Sequence, residues 1–244
     1  MFEIRRLAET DSTNDDAQRL LGEADGAGLV IVSDFQRAGK GRRERRWIAP
    51  RGSALLFTAI LPRTVAASAL WCVPYWTALV VADGIERASG VRVSLQWPND
   101  LLLDGRKCAG ILCISRVAGD EAWIGCGVGL NVVRPADYAA LAGVEPAPAF
   151  VADRAPGLER DALLDAILAA FGLRLGDLDR PESVARRWEE RAGLAGTHYR
   201  LLVDGEAAPF DAVARRLSAD GGLIVAQNGR ERTLSLADAR VMRS

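Results

Sequence analysis

A basic segment near the start of the chain contains the residues whose types and spacing point most directly to chemistry. The segment reads Gly39-Lys40-Gly41-Arg42-Arg43-Glu44-Arg45-Arg46-Trp47, five cations and one acid, in a chain whose net charge is −1. Glycine permits positive φ and close approach of N–H groups to an anion, and guanidinium groups match phosphate or carboxylate oxygens. The segment is a candidate phosphate-binding loop, although a solvated basic loop would look the same. It matches neither the Walker pattern nor G-x-G-x-x-G.

A second group of polar residues precedes this segment, in Asp11-Ser12-Thr13-Asn14-Asp15-Asp16. Ser12 with Asp15, or Thr13 with Asp16, fits the capping-box spacing, which predicts the start of a helix. The ordinary interpretation is an N-cap. The alternative is that hydroxyl groups and exposed N–H groups at the helix start hold a polar ligand.

A third group lies around Trp97-Pro98-Asn99-Asp100, which predicts a turn after a short strand. Lys107 opens the next apolar strand, so its ammonium group either extends to solvent at an edge or points inward to meet an anion. On the following strand Gly125, Gly127 and Gly129 project to one face. They predict either a bare floor for a flat ligand or a bent, bulged strand.

Hydrophobic patterning predicts the elements that position these residues. In the first 132 residues the predicted strands are 2–7, 29–33, 54–61, 91–97, 101–103, 107–114 and 122–132. The basic segment lies between 29–33 and 54–61, so it is expected to join two strands of one sheet. Asp104-Gly105 and Asn228-Gly229 are hairpin-turn signals. The predicted helices are 13–21, 76–88, 137–141, 158–175 and 182–191, with a loop over 144–157. Beyond them come four short strands of a small barrel, 199–203, 212–217, 223–226 and 232–236.

The bulk composition argues against several classes of protein. Lys+Arg and Asp+Glu number 31 and 32, so no overall basic charge favours nucleic acid or a membrane surface. No apolar run has the length of a membrane span, and the N-terminus lacks a signal-peptide pattern. The four cysteines have no C-x-x-C spacing and the single histidine, His198, has no partner, which argues against a metal site. We therefore expect a cytoplasmic protein with reduced thiols and no resident metal.

Five motifs, taken in order, carry a resemblance to a known family. They are Asp-Ser-Thr-Asn from 11, Gln36 with Gly-Lys-Gly-Arg-Arg and Trp47, Trp-Pro-Asn-Asp from 97, Lys107 with Ala-Gly-Ile-Leu, and Gly-Val-Gly-Leu-Asn to 131. Together the motifs, which cover about half the chain, resemble those of the biotin protein ligases. The resemblance implies an α+β fold, with a mixed-sheet catalytic domain of the biotin/lipoate ligase type over 1–194 and an SH3-like β-barrel over 195–244. It also implies a monofunctional enzyme without the N-terminal DNA-binding domain that some members carry.

The resemblance implies a reaction and its partners. Biotin and ATP would give biotinyl-5′-adenylate and pyrophosphate, with Mg²⁺ accompanying ATP, and biotin would then pass to a lysine of a biotin carboxyl carrier domain of a carboxylase. No DNA or membrane partner is expected, and a homodimer is one option for assembly.

The resemblance also assigns roles to matching residues. The catalytic residues would be Lys107, Arg42 and Asp100. The biotin-binding residues would be Ser12, Thr13, Asn14, Gln36, Lys40, Gly41, Arg42 and Lys107. The ATP-binding residues would be Arg42, Arg43, Trp47, Asn99, Lys107 and Asn131. Since free lysine and aspartate differ by about 6.5 pKa units, roughly 9 kcal/mol, we expect Asp100 to orient the attacking amine rather than remove its proton.

Two residues depart from the family pattern. Lys40 replaces a more usual arginine, and Glu44 replaces a glycine. We expect Glu44 to point to solvent or to pair with Arg45 or Arg46, and the loop to be mobile without ligand.

Three other functions are alternatives to a biotin protein ligase. They are a ligase for lipoate or another acid, a non-catalytic sensor of biotin or its adenylate, and an RNA-binding loop protein.

Overall fold

A computed structural model describes residues 2–136, 141, 144 and 147–242 of the chain. The described residues form two sheets and four α-helices. The helices are α1 (Thr13–Gln18), α2 (Val73–Ser89), α3 (Arg160–Arg174) and α4 (Pro181–Ala192). Short 3₁₀ helices precede α2 at Ala67–Cys72, precede α3 at Val151–Asp153 and follow α3 at Leu175–Asp179.

The first sheet is mixed and contains eight strands. They are β1 (Glu3–Leu7), β2 (Leu29–Ser33), β3 (Ala54–Ile60), β4 (Val65–Ala66), β5 (Ser94–Gln96), β6 (Asp100–Leu103), β7 (Arg106–Ala118) and β8 (Glu121–Asn131). The order is β1-β2-β3-β8-β7-β6-β5, with β4 also paired to β8. Only the pairing of β1 with β2 is parallel, so the predicted mixed sheet is confirmed.

The second sheet is antiparallel and follows α4. Its strands are β9 (His198–Val203), β10 (Phe210–Leu217), β11 (Leu223–Gln227), β12 (Arg230–Leu234) and β13 (Ala239–Val241), in the order β12-β11-β10-β9-β13. This sheet confirms the small C-terminal β module. The boundary between 194 and 195 remains a prediction, because one core cluster includes residues of both sheets.

Both faces of the first sheet are covered. On β2, Val30 and Val32 join the main core, which also contains α2 and α3, whereas Leu29 and Ile31 join a smaller cluster with Ala17 of α1. Such strands read as continuous apolar runs, because neither side of the sheet faces water.

Helix α2 is the central helix of the main core. Together with the preceding 3₁₀ helix it is long and apolar enough, by length and composition alone, to cross a membrane. Most of that segment is buried, as a core helix requires. Gly90 ends α2 in the left-handed conformation, at φ 69°, which confirms the predicted stop.

The sequence predicted both marked hairpins and missed several short elements. Asp104 and Gly105 have φ of 51° and 74°, and Asn228 and Gly229 have 50° and 77°, the positive values that a type I′ turn needs. Five elements were not predicted: β4, β13 and the three 3₁₀ helices. They are two to six residues long, too short for a periodic signal. Helix α1 ends at Gln18, earlier than expected, and the helix predicted at 137–141 falls largely outside the described residues.

Candidate active site

A cavity of about 580 Å³ brings nearly all the predicted site residues together. Its wall includes Ser12, Thr13, Asn14, Gln36, Lys40, Gly41, Arg42, Arg43, Trp47, Asn99, Asp100 and Lys107. The exception is Asn131, which is buried at the end of β8 and is not part of the wall. Seven cations but only one carboxylate, that of Asp100, line the cavity within the described chain. The site therefore suits a small molecule that carries several negative charges.

A hydrogen-bonded network forms one side of the cavity. The backbone N–H of Thr13 donates to Oε1 of Gln36 at 2.8 Å, and the Thr13 hydroxyl lies 3.0 Å from the same oxygen. The Thr58 hydroxyl donates to Oδ1 of Asn14 at 2.7 Å and lies 2.9 Å from the Thr13 hydroxyl. The Asn14 amide in turn donates to the carbonyl of Leu112 at 3.0 Å. The network fixes which donors and acceptors face the ligand.

Thr58 is a member of this network that sequence reasoning missed. It is fully buried on β3 and pairs in register with Gly127 of β8. The available signal was a hydroxyl in the otherwise apolar run Ala54-Leu55-Leu56-Phe57-Thr58-Ala59-Ile60. A buried hydroxyl needs a partner, and here the partners belong to the site.

The predicted helix start is confirmed, but the hydrogen bonds of a capping box are not formed. Ser12 occupies the N-cap position with extended φ and ψ of −160° and 132°, but its side chain makes no capping hydrogen bond. Asp16 instead accepts a bond from the Thr10 hydroxyl at 2.6 Å. Ser12 is buried and lines the cavity.

The basic segment folds back on itself between paired strands. It connects β2 to β3, which are antiparallel neighbours, as predicted. The N–H of Gly41 donates to the carbonyl of Arg45 at 2.7 Å, and the N–H of Trp47 donates to that of Gly39 at 2.8 Å. The Lys40 ammonium pairs with Asp15 of α1 at 2.5 Å, which ties the loop to the network side of the cavity.

Two arginines of the loop are held by loops of the C-terminal module. Arg42 donates to the carbonyl of Leu236 and lies 3.4 Å from Oδ1 of Asn99, while Arg43 pairs with Asp204. Burial lowers the pKa of Arg42, and the neighbouring charge of Arg43 lowers it further. The C-terminal module therefore forms part of the cavity wall, which the sequence did not reveal.

Lys107 points inward rather than to solvent. Its ammonium group lies 2.5 Å from Oδ1 of Asp100 and 5.4 Å from the centre of the Trp47 ring. Asn99 is fixed beside them, because its side-chain amide donates to the carbonyl of Ile111 at 2.8 Å and its backbone carbonyl accepts from the N–H of Ile111 at 2.9 Å. The peptide bond between Trp97 and Pro98, just before this pair, is cis.

The glycine floor predicted at Gly125, Gly127 and Gly129 is present, but side chains of the protein cover it. A Cβ added to Gly129 would lie 2.5 Å from the Trp47 indole, and one on Gly110 would lie 3.1 Å from the same ring. The Asn14 amide lies against Gly127. The glycines do admit a flat ring, and in this structure that ring is the Trp47 indole.

Glu44 points to solvent, one of the two outcomes expected for it. It is exposed and adopts φ of 59°, and Arg43 before it adopts 58°. Positive φ is costly for residues other than glycine. The departure from the family pattern therefore puts a side chain where the backbone favours none.

The fold and the cavity together define a class of anion-binding α+β protein. This is an α+β protein in which a basic loop and an inward-pointing lysine face one anion-binding cavity on a mixed sheet. The chain belongs to the biotin/lipoate A/B protein ligase family, whose sequence model matches residues 6–131.

Individual relatives agree with that assignment. A biotin–[acetyl-CoA-carboxylase] ligase of Paracoccus denitrificans is 31% identical over 196 residues, covering 78% of this chain and 81% of the relative. The enzyme of the same name from Mycobacterium tuberculosis is 28% identical over 241 residues, covering 95% and 86%. The structure of the biotin protein ligase from Aquifex aeolicus with biotin and ATP covers both chains completely, with a TM-score of 0.76 and 21% identity.

Proposed function

We propose that this protein is an ATP-dependent biotin protein ligase that makes biotinyl-5′-adenylate and transfers biotin to a lysine of a carboxylase carrier domain. The observation that carries the proposal is the meeting of Arg42, Lys107 and the Thr13–Gln36 network in one cavity of a member of this family. Relatives that bear the name of this activity resemble most of the chain.

The first step joins two anions, and the cavity supplies the opposite charge. The biotin carboxylate must approach the α-phosphate of ATP, and a new C–O–P linkage forms as pyrophosphate leaves. Lys107 and Arg42 lie in the same wall and reduce the repulsion between the two reactants. The ammonium group of Lys107 would leave Asp100 to contact the oxygens where charge develops.

The Thr13–Gln36–Thr58 network supports the choice of biotin as the acid. A ureido ring presents one carbonyl and two N–H groups in a plane, so it needs both donors and acceptors. The Ser12 hydroxyl and the Gln36 amide line the cavity and provide them. A site with fixed polar groups rejects ligands that leave those groups unpaired.

The nucleotide would lie near Trp47, whose indole now covers Gly129. Mg²⁺ would arrive as part of the ATP substrate, held by the phosphate oxygens. Among the described residues no three metal-binding side chains gather. Asn131 lies two residues beyond Gly129 on the same face of β8, so its proposed contact with adenine requires Trp47 to move.

In the second step Asp100 would orient the amine of the carrier lysine. Its carboxylate already holds one ammonium group, that of Lys107, at 2.5 Å. That contact supports orientation rather than proton removal. An unchanged pH profile for transfer by Asp100→Asn would agree with this role, and a profile that loses an ionisation would contradict it.

The direct test supplies the protein with its proposed substrates. Labelled biotin, ATP and Mg²⁺ should label a carrier domain at one lysine, and mass spectrometry without the carrier should find a retained biotinyl-adenylate. The same mixture with lipoate in place of biotin is the matched comparison. Adenylation of lipoate but not biotin would replace the proposal with a lipoate ligase, and adenylation of neither acid would favour a sensor.

The cytoplasmic location and the homodimer remain predictions.

A further inference from the structure

One half-buried arginine of the cavity comes from the C-terminal sheet, and its Nε atom has no acceptor among the described residues. Arg240 is the middle residue of β13 and lines the cavity together with Val241 and Met242. Its Nε atom is buried, and none of the described residues accepts a hydrogen bond from it. Buried N–H groups without acceptors are rare, because losing water without replacement is costly. The acceptor of this group is therefore expected to be a ligand.

The other arginines of the wall already have partners or face water. Arg42 and Arg43 bond to loops of the C-terminal module, and Arg46 donates to the carbonyl of Arg37 at 2.7 Å. Arg45 is exposed. Within the described part of the chain, Arg240 is thus the arginine of the cavity whose buried donor is available for a new acceptor.

Strand pairing places Arg240 on the side of the cavity where the basic loop is held. In the pairing of β13 with β9, Ala239 lies opposite Val203 and Arg240 lies opposite Leu202. Asp204, which follows Val203 directly, holds Arg43, and Leu236, four residues before Arg240, holds Arg42. The Thr13–Gln36–Thr58 network is instead built on α1, β3 and the start of the loop.

We propose that Arg240 binds the β- and γ-phosphates of ATP and stabilises pyrophosphate as it leaves. The inference rests on the proposed function and adds a residue to its first step. A carboxylate oxygen of biotin attacks the α-phosphorus, the bond from that phosphorus to the β-phosphate bridging oxygen breaks, and its electron pair leaves with pyrophosphate. No proton or redox partner is needed. The guanidinium fork offers two parallel donors to phosphate oxygens, which a point charge cannot do.

The role predicts a defect confined to adenylation. For Arg240→Ala in the full chain, the KM for ATP in pyrophosphate release should rise about tenfold or more, because a charge-assisted bond is lost. Single-turnover transfer of biotin from preformed biotinyl-adenylate to the carrier should change less than about twofold, since that step has no pyrophosphate. Arg240→Lys should recover part of the ATP affinity. Arg215→Ala, an exposed arginine on β10 of the same sheet, is the matched control and should behave like the parent.

Two results would overturn the inference. One is an unchanged KM for ATP, together with an unchanged KM for pyrophosphate in the reverse reaction. The other is an equal loss in both half-reactions, which would indicate a purely structural role. Calorimetric titration of the parent and Arg240→Ala with Mg²⁺–ATP alone separates this inference from the proposed function. Weaker nucleotide binding in the variant would support Arg240 whatever acid the parent uses, and equal binding would reject it.

Discussion

Lys107 is the residue for which the structure decides between two opposite interpretations. A lysine at the start of an apolar strand can extend to solvent, but this ammonium group contacts Asp100 at 2.5 Å inside the cavity. The contact holds the charge in place until an anionic substrate competes for it. Lys107 is therefore part of the cavity rather than of a solvated edge, as the proposed role in adenylation requires.

Replacing Lys107 with alanine should raise the adenylation barrier by about 3–4 kcal/mol, comparable to the loss of an oxyanion-hole donor. The measurement is single-turnover pyrophosphate release at saturating biotin and ATP. Arg106→Ala is the matched control, because this neighbouring cation lies outside the cavity wall. Equal losses in the two variants would indicate a general charge effect instead of a specific contact.

Glu44 combines an unfavourable backbone conformation with a negative charge in a cationic loop. Because its φ is 59°, Glu44→Gly should stabilise the fold by about 1 kcal/mol. Because the substitution also removes a negative charge from the cationic loop, it should speed adenylate formation. Denaturant unfolding and pyrophosphate release measure the two effects. Glu44→Gln separates them, since it removes the charge and keeps the Cβ. An equal or slower rate in Glu44→Gly would reject an inhibitory role for this residue.

At the scale of elements, strand β3 contributes a hydroxyl to the side of the cavity that is proposed to bind biotin. Thr58 joins the helix start, through Thr13 and Asn14, to the centre of the sheet. Position 58 thus connects a helix whose start lines the cavity with a strand of the core. Its pairing opposite Gly127 leaves room for the Asn14 amide, since a Cβ there would collide with that amide.

Thr58→Val should weaken biotin binding while leaving the KM for ATP close to that of the parent. The substitution leaves the Asn14 oxygen without its donor, which costs about 1–3 kcal/mol. Steady-state KM values for both substrates test this split. Thr77→Val is the control, because that hydroxyl is equally buried but bonds to Val73 within α2. A parallel rise in both KM values would argue for general unfolding of the site.

At the scale of the whole molecule, hydrogen bonds of α2 connect the C-terminal module to the first sheet. The Tyr75 hydroxyl donates to the carbonyl of Gly221 at 2.5 Å and accepts from Trp97 Nε1 at 3.1 Å. Burial raises the pKa of Tyr75, so the hydroxyl keeps its proton at neutral pH. The link runs from the C-terminal module to the motif that carries Asn99 and Asp100.

Tyr75→Phe should lower the free energy of unfolding by about 3 kcal/mol, because two buried groups lose their partner at once. The measurement is urea unfolding, with the m-value checked to confirm that the denatured state is unchanged. A loss below about 0.5 kcal/mol would be typical of a surface substitution and would contradict the link.

The amino-acid sequence by itself determined the order of the longer elements and the two type I′ hairpins. It also predicted thirteen site residues, of which twelve line the cavity. These features depend on local patterns: hydrophobic periodicity, turn residues and short motifs. The tertiary structure alone decided that Trp47 covers the glycine floor, that Thr58 completes the network and that Arg42 and Arg43 bond to loops of the C-terminal module. The Arg42–Leu236 contact spans 194 positions, and no periodicity along a chain encodes which distant surfaces meet. That choice follows from how the two sheets share one core.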